Sequence, residues 1–218
     1  KSKHSALSFR HFVLGTVAIF IYVGVEVGIP NFANLFMTSP EINIDPTIAG
    51  SVVGTYWFLM MIGRLCGASI GAKVSSRAML TVVSTVGIVL VLGAIFCADN
   101  ILVNMPVFKS DISFGFAQVP VNVMLLILCG LCTSVMWGGI FNLAVEGLGK
   151  YTAAASGLFM VMVCGGGILP LIQGGVADFA GFLNSYWVIA LGLAYILFYA
   201  AIGSKNVNTD IPTDDYEA

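Results

Sequence analysis

The sequence predicts an all-α membrane protein, built as a bundle of six transmembrane helices. Of its 218 residues, 58% are hydrophobic and only 9% are charged, whereas soluble domains contain about 25% charged residues. A soluble fold needs charge to cover its surface, and this chain has too little. The apolar residues fall into stretches of about the 20 residues that a helix needs to cross a bilayer. Because lipid cannot hydrogen bond to the backbone, helices are the structure that such stretches can form.

Six spans are delimited by the charged residues between them. The first three cover about 12–38, 47–71 and 78–98. Residues 112–145 are also uncharged but too long for one helix; Pro106, Pro120 and the polar cluster from Lys109 to Asp111 predict a loop before a fourth span at 121–145. The last two spans are 151–177 and 182–203. Together they form one unit, residues 1–205.

The ends of the chain are predicted to lie in the cytoplasm, because six spans place both ends on one side. That side carries Lys1, Lys3, Arg10, Lys73, Arg77, Lys150 and Lys205, while the other side carries Lys109. The positive-inside rule therefore predicts cytoplasmic ends and a multi-pass protein of the inner (cytoplasmic) membrane, with lipid around it. Residues 206–218, which include Asp210, Asp214, Asp215 and Glu217, are predicted to form a disordered acidic tail. The net charge of −2 gives no basic surface for nucleic acid.

Glu26 is the main candidate for chemistry, because it lies near the middle of the first span. A charged group at that depth costs about 2.5–3.5 kcal/mol, so it usually faces a cavity or a partner. Pro30 has no N–H and leaves the Glu26 carbonyl without its helical donor, and Tyr22 lies on the same helix face. The group therefore offers hydrogen-bond acceptors for the hydroxyls of a polar solute. A protonated Glu26 buried against a neighbouring helix is the alternative.

Further polar and aromatic residues are candidate substrate contacts. Tyr56, Trp57 and Trp137 are candidates for stacking on the ring of a bound solute, although packing and interface anchoring explain membrane aromatics equally well. Asn31 lies just beyond Pro30, at an entrance or at a cap. Gln173 is polar within a span, whereas Asn142, nearer the cytoplasmic end, also fits a structural role.

Glycine and proline positions predict close packing and bending. Gly63, Gly67 and Gly71 recur every four residues on one face of the second span, which lets two helix backbones approach. Gly165 to Gly167, followed by Pro170, predict a bend or a cavity wall in the fifth span. Arg64, near the end of the second span, either extends to the headgroups or belongs to a gate.

Three segments resemble the major facilitator superfamily, in the group of the fucose permease and the bacterial glucose/galactose transporters. They are Tyr22-Val23-Gly24-Val25-Glu26-Val27, Ile62-Gly63-Arg64-Leu65-Cys66-Gly67, and a longer pattern from Ile140 to Gly181 that includes Asn142, Gly165 to Gly167 and Asp178. Two departures from the family pattern, at Trp137-Gly138-Gly139 and at Pro170, lie near the expected sugar path.

The resemblance implies that the chain is the C-terminal half, helices seven to twelve, of a twelve-helix transporter. It implies alternating access, with an N-terminal six-helix half as partner and a sugar such as glucose, galactose or fucose as substrate. The coupling cation implied is a proton in preference to sodium. Gating roles follow for Arg64, Gly63, Gly67, Pro30 and Pro170. A half-transporter for another small polar solute stays open as an alternative.

Other functional classes find little support in the sequence. An intramembrane enzyme would need catalytic pairs, but His4 and His11 precede or begin the first span. No filter-like loop or ring of charges suggests a channel. Cys129 and Cys132 form a C-x-x-C, but the absence of further ligands nearby favours packing over a metal or redox site. We therefore expect no catalytic residues, metal site or cofactor.

Overall fold

The computed structural model describes residues 4–98 and 100–213. Its helices are α1 (Arg10–Thr38), α2 (Pro46–Ile70), α3 (Ser76–Phe96), α4 (Val121–Thr133), α5 (Met136–Ala144), α6 (Thr152–Val161), α7 (Gly165–Ala180) and α8 (Phe182–Phe198). Short 3₁₀ turns cover Ala6–Ser8, Gly149–Tyr151 and Met162–Cys164, and a π turn, Tyr199–Gly203, extends α8. Within the described ranges, six helical stretches are long and apolar enough to cross a membrane.

The predicted membrane-helical fold is confirmed, and the predicted span limits lie within three residues of the observed helices. The fourth span comprises α4 and α5, and the fifth runs from Gly149 to Ala180 through α6 and α7. Local signals explain several helix ends. The Asp45 side chain caps α2, with Pro46 at its first position, Ser75 caps α3, and Gly181 separates α7 from α8 with a φ of 94°.

The first span lies at the centre of the bundle. Helix α1 packs against α7, α8 and α5, and it also contacts α2 and α4. Helix α3 packs against α8 and α4 on one side of this arrangement. Four tyrosines, Tyr22, Tyr56, Tyr186 and Tyr199, are among the largest fully buried side chains. The core is therefore apolar but contains several phenolic hydroxyls.

The fourth span is broken at Ser134 and Val135, which the sequence did not predict. The Thr133 and Ser134 hydroxyls lie 3.3 and 2.6 Å from the carbonyl oxygens of Gly130 and Leu131, three residues earlier. Such bonds compete with the helical ladder and bend helices. The break leaves backbone carbonyls available to other helices.

A second interruption lies in the fifth span. A 3₁₀ turn, Met162–Cys164, separates α6 from α7 and ends directly before the three consecutive glycines. The sequence predicted a bend in this region. Gly165 lies against the Phe20 backbone and Gly166 contacts Val23, so the glycine run also lets α7 approach α1 closely.

The loop that the sequence predicts after the third span contains a β-hairpin, whose strands the sequence did not predict. Strands β1 (Leu102–Phe108) and β2 (Phe114–Pro120) pair antiparallel, with Leu102 opposite Pro120 and Phe108 opposite Phe114. One face is buried against the bundle and contains Met105, Val107, Ala117 and Val119. The alternation of buried and exposed residues is that of a strand pair with one packed face.

The described part of the predicted tail is packed, unlike the disordered segment that the sequence predicts. The Asn208 side-chain oxygen accepts a hydrogen bond from the Arg10 backbone N–H at 2.9 Å, and the Thr213 carbonyl accepts one from the Lys150 N–H at 2.9 Å. Ile211 is buried. The composition is polar, but these contacts with two helix ends order the segment. Asp214, Asp215 and Glu217 lie outside the described residues.

Candidate functional site

Glu26 lies in the middle of α1 and forms an ion pair with Arg64 of α2. The Arg64 Nη2 atom is 3.6 Å from Glu26 Oε1. The Glu26 side chain is 17% exposed, whereas the Arg64 side chain is 55% exposed. Because an unpaired charge within a membrane is costly, each residue lowers the cost of placing the other there.

Arg64 therefore points toward Glu26. The sequence predicted for Arg64 either an extension to the headgroups or a role in a gate, and neither included this contact. Its Nε also donates a hydrogen bond to the Ser134 carbonyl at 3.3 Å, at the break in the fourth span. Side chains on a helix lean toward its N-terminus, so the Arg64 guanidinium is directed toward the N-terminal end of α2. The signal in the sequence was the presence of opposite charges inside two neighbouring spans.

The Glu26 carbonyl is not available to a substrate, in contrast to the expectation from Pro30. The Tyr56 hydroxyl lies 3.2 Å from that carbonyl and donates to it, so a side chain replaces the missing proline N–H. Tyr56 is fully buried. The structure thus places Tyr56 behind the site as a support, and its ring is not exposed for stacking.

Tyr22 connects the same region to the break in the fourth span. Its hydroxyl donates to the Thr133 carbonyl at 3.0 Å, which α4 leaves available where it ends. The Thr133 hydroxyl is 3.1 Å from the Tyr56 hydroxyl. Two buried tyrosines therefore link α1 near Pro30 to the break after α4. Tyr22 also lies close to the charged groups of Glu26 and Arg64.

Gly63 and Gly67 allow α2 to lie directly on this break. A Cβ atom at Gly63 would collide with Ser134, and one at Gly67 would collide with Val135. Gly71 meets no other helix as closely; its neighbours are carbonyls of its own helix and the end of Met79. The close approach at Gly63 is what brings Arg64 within reach of the Ser134 carbonyl.

An open cavity of about 640 Å³ adjoins Arg64. Helices α2, α3 and α5 line it, with Ser134, Trp137 and Asn142 among its residues. Trp137 is partly buried, and its ring stacks on Phe141 with centroids 5.5 Å apart. Asn142 is exposed and lies 3.4 Å from the Ser76 hydroxyl. The cavity thus combines one cation with an indole ring and an amide.

The remaining candidates do not join this cluster. Gln173 is 1% exposed, packs against Gly28, and its Nε2 lies 3.4 Å from the Ser185 hydroxyl. Asn31 is exposed directly after Pro30, and Trp57 is 43% exposed on α2. Pro170 lies within α7 and is partly buried. Pro30 is buried in α1, where it leaves the Glu26 carbonyl to accept from Tyr56.

Comparison with known proteins identifies relatives of this chain. No protein-family profile matches it. It is 31% identical over 207 residues to a glucose/galactose transporter of Brucella abortus, a match that covers 94% of this chain and 45% of the relative. A putative glucose/galactose transporter of Helicobacter pylori is 32% identical over 209 residues, with 94% and 46% covered. The L-fucose-proton symporter of Escherichia coli is 22% identical over 197 residues, with 90% and 40% covered.

Solved structures show the same architecture. The major facilitator superfamily transporter FucP in its outward conformation superposes with a TM-score of 0.75 at 22% identity, covering 90% of this chain and 43% of that one. A variant of the Escherichia coli fucose:proton symporter FucP gives 0.77 at 23% identity, with 94% and 46% covered. The chain spans about half the length of the relatives that it matches. In sequence, the chain is similar to about half of the glucose/galactose transporters and of the L-fucose-proton symporter, and its fold is that of about half of the FucP transporter.

Proposed function

We propose that this chain is the C-terminal half of a secondary transporter that moves a hexose across the cytoplasmic membrane, with both of its ends in the cytoplasm. Its partner is an N-terminal half of six further helices, and the sugar binds between the two halves. The curated relatives are named as transporters of glucose and galactose or as a fucose-proton symporter, which supports both the substrate class and proton coupling.

The observation that carries the proposal is the Glu26–Arg64 pair in the centre of a membrane bundle. Sugar hydroxyls need both acceptors and donors, and a carboxylate beside a guanidinium supplies both. Arg64 is half-exposed and adjoins an open cavity that Trp137 also lines. Glu26, Arg64 and Trp137 are the proposed substrate contacts, while Tyr22 and Tyr56 connect α1 and α2 to the end of α4 beside them.

Glu26 has two roles open to it within this proposal. As a sugar ligand, it accepts hydroxyl hydrogen bonds and remains ionised beside Arg64. As the coupling group, it takes up the proton, which removes the ion pair and releases Arg64 from that contact. Both roles require the carboxylate, but only the second requires that it titrates.

Transport by the full-length protein in proteoliposomes separates these roles. Glu26→Gln keeps the shape of the side chain and removes titration; if Glu26 carries the proton, pH-driven accumulation of hexose is lost while counterflow exchange survives. If Glu26 is only a ligand, both persist with weaker sugar affinity. Glu41→Gln, an exposed carboxylate outside the helices, is the matched control.

Glu26→Ala should impair both activities, because the site loses an acceptor and Arg64 loses its partner. Unchanged exchange and accumulation in Glu26→Ala would refute the proposed site. The six-helix chain alone should show no saturable hexose uptake, because it supplies one wall of a site built between two halves. Such uptake by the chain alone would refute the half-transporter proposal itself.

A further inference from the structure

Two adjoining cavities lie where the hairpin rests on α2 and α4. The first, of about 320 Å³, is lined almost wholly by apolar atoms. Phe58, Phe108, Phe114 and Leu128 are among its residues. The second, of about 490 Å³, is called the polar cavity because the side chains of Thr47, Ser51, Lys109 and Ser110 line it beside Gly50 and Phe108. Phe108 lines both cavities, so the two adjoin at this residue.

The two cavities follow each other along α2. The polar cavity lies beside residues 46–54, the first turns of the helix, and the apolar cavity lies beside residues 55–59. With a helical rise of 1.5 Å per residue, Thr47 and Leu59 are about 18 Å apart along the axis. Half of the hydrocarbon core of a bilayer measures about 15 Å. The polar cavity therefore lies near the membrane surface, and the apolar cavity lies within one leaflet.

Aromatic contacts and one hydrogen bond hold the hairpin in this position. The Phe108 backbone N–H donates to the Thr55 hydroxyl at 2.9 Å. The Phe108 ring stacks on Phe58 with centroids 4.6 Å apart, and Phe114 meets both rings edge-on. A Cβ atom at Gly50 would meet nothing within 4 Å, so the helix side of the polar cavity is open.

The charges at the polar end have both signs. Lys109, at the rim, is exposed, and the exposed Asp111 follows in the same turn. A hydrogen bond from Ser113 is the main cause that lowers the pKa of Asp111, with Lys109 contributing, so this carboxyl is ionised at neutral pH. Asp45, exposed at the start of α2, adds a second carboxylate, and Glu41 lies in the same connection. A headgroup with one anionic and one cationic group complements this arrangement.

We propose that the hairpin, α2 and α4 form a binding site for one phospholipid with an ethanolamine headgroup. One acyl chain fills the apolar cavity between Phe58 and Leu128. The phosphate lies at Lys109 and the hydroxyls of Thr47, Ser51 and Ser110, and the ammonium group donates hydrogen bonds to Asp111 or Asp45. The site rests on the membrane location of the chain and not on its proposed sugar substrate.

Native mass spectrometry of the purified protein tests the site. The protein is stripped of lipid with detergent and titrated with palmitoyl-oleoyl phosphatidylethanolamine, with phosphatidylcholine or with phosphatidylglycerol carrying the same chains. We expect one phosphatidylethanolamine to bind before any other lipid. Phosphatidylcholine has the same charges without ammonium hydrogens, and phosphatidylglycerol lacks the cation, so both should bind more weakly.

Two variants address the two ends of the site. Leu128→Trp fills the apolar cavity and should weaken the first binding event about tenfold, the equivalent of one good contact. Lys109→Gln, in an exposed turn where folding is not at risk, should weaken it about two- to fivefold, as expected for an exposed ion pair. Leu191→Trp, at an exposed position of α8, and Lys205→Gln are the matched controls and should bind like the parent.

A loss of lipid binding in Leu128→Trp supports the site only if the melting temperature of this variant matches that of Leu191→Trp. If the melting temperatures differ, the result for Lys109→Gln alone decides whether the site is supported. Equal binding of the three lipids, or parent-like binding in Lys109→Gln, would overturn the ethanolamine assignment. Parent-like binding in a folded Leu128→Trp would overturn the cavity as the acyl-chain site.

Discussion

The guanidinium of Arg64 lies 3.6 Å from the carboxylate of Glu26, and the two residues come from neighbouring spans of the bundle. Arg64 has a second contact, with the Ser134 carbonyl at the break in the fourth span. If Glu26 becomes neutral, Arg64 keeps this second contact and loses its counter-ion. The pair thus connects the charge on α1 to the broken helix that borders the open cavity.

A double-mutant cycle should detect this connection. The single variant Arg64→Gln leaves Glu26 as an unpaired, mostly buried carboxylate. It should therefore be less stable than the double variant, in which Glu26→Gln removes that charge as well. Because Arg64 is half-exposed, we expect a coupling free energy of about 1 kcal/mol. Thermal unfolding in detergent of the parent, the two single variants and the double variant measures it. Strictly additive effects would show that the charges do not interact.

Tyr56→Phe should destabilise the protein by about 1–3 kcal/mol, since it leaves the Glu26 carbonyl buried without a donor. Tyr195→Phe is the matched control. Its hydroxyl donates to the Leu14 carbonyl at 2.9 Å. Ala18 follows Leu14 by four residues, as Pro30 follows Glu26, but Ala18 has a backbone N–H. The Leu14 carbonyl therefore keeps a helical donor when the tyrosine hydroxyl is removed. Thermal unfolding compares the two variants. An equal loss of stability in both would mean that the Glu26 carbonyl does not depend on Tyr56 as its donor.

The spans could be predicted from the sequence because hydrophobicity and length decide them residue by residue. Glu26 could also be singled out, because a charge within a span is rare whatever surrounds it. Its ion-pair partner, Arg64, could not be predicted. The direction of Arg64 depends on the glycine contact at Gly63 and on the carbonyl left available at Ser134, and both are tertiary features.

The hairpin was missed for a similar reason. Pro106 and Pro120 are typical of loops, and an isolated two-stranded hairpin is only marginally stable. Here the hairpin gains its stability from outside itself, through the stacking of Phe108 on Phe58 and the bond to Thr55. No local pattern in residues 102–120 contains these contacts.

Gly67→Leu should lower the folded yield and the stability by about 1–3 kcal/mol, the usual cost of overpacking. The added side chain would collide with Val135 at the break in the fourth span. Gly157→Leu places the same side chain at an exposed helical glycine with nothing within 4 Å and should be tolerated. Size-exclusion profiles and melting temperatures compare the two. Equal tolerance would indicate that α2 does not pack against this break.

The proposed orientation can be tested with cysteine labelling of intact cells. Ser110→Cys, in the hairpin turn, should react with a membrane-impermeant maleimide added outside. Ala72→Cys, in the exposed turn between α2 and α3, should react only after permeabilisation. The five native cysteines are first replaced by alanine so that the label reports one position. The reverse labelling pattern would place both ends of the chain outside the cytoplasm.

Asn208→Ala should weaken the start of α1. The N-cap residue Phe9 makes no side-chain hydrogen bond, and the Asn208 oxygen satisfies the Arg10 N–H in its place. Because loss of a cap typically costs about 1 kcal/mol, the melting temperature should fall slightly. Hydrogen exchange should accelerate selectively at Arg10 and in the first turn of α1, which a general loss of stability would not produce. Asn104→Ala, an exposed amide on β1, is the control and should leave that exchange unchanged. If exchange at Arg10 is the same in Asn208→Ala and in the parent, residues 206–213 do not cap α1, and their order has another cause.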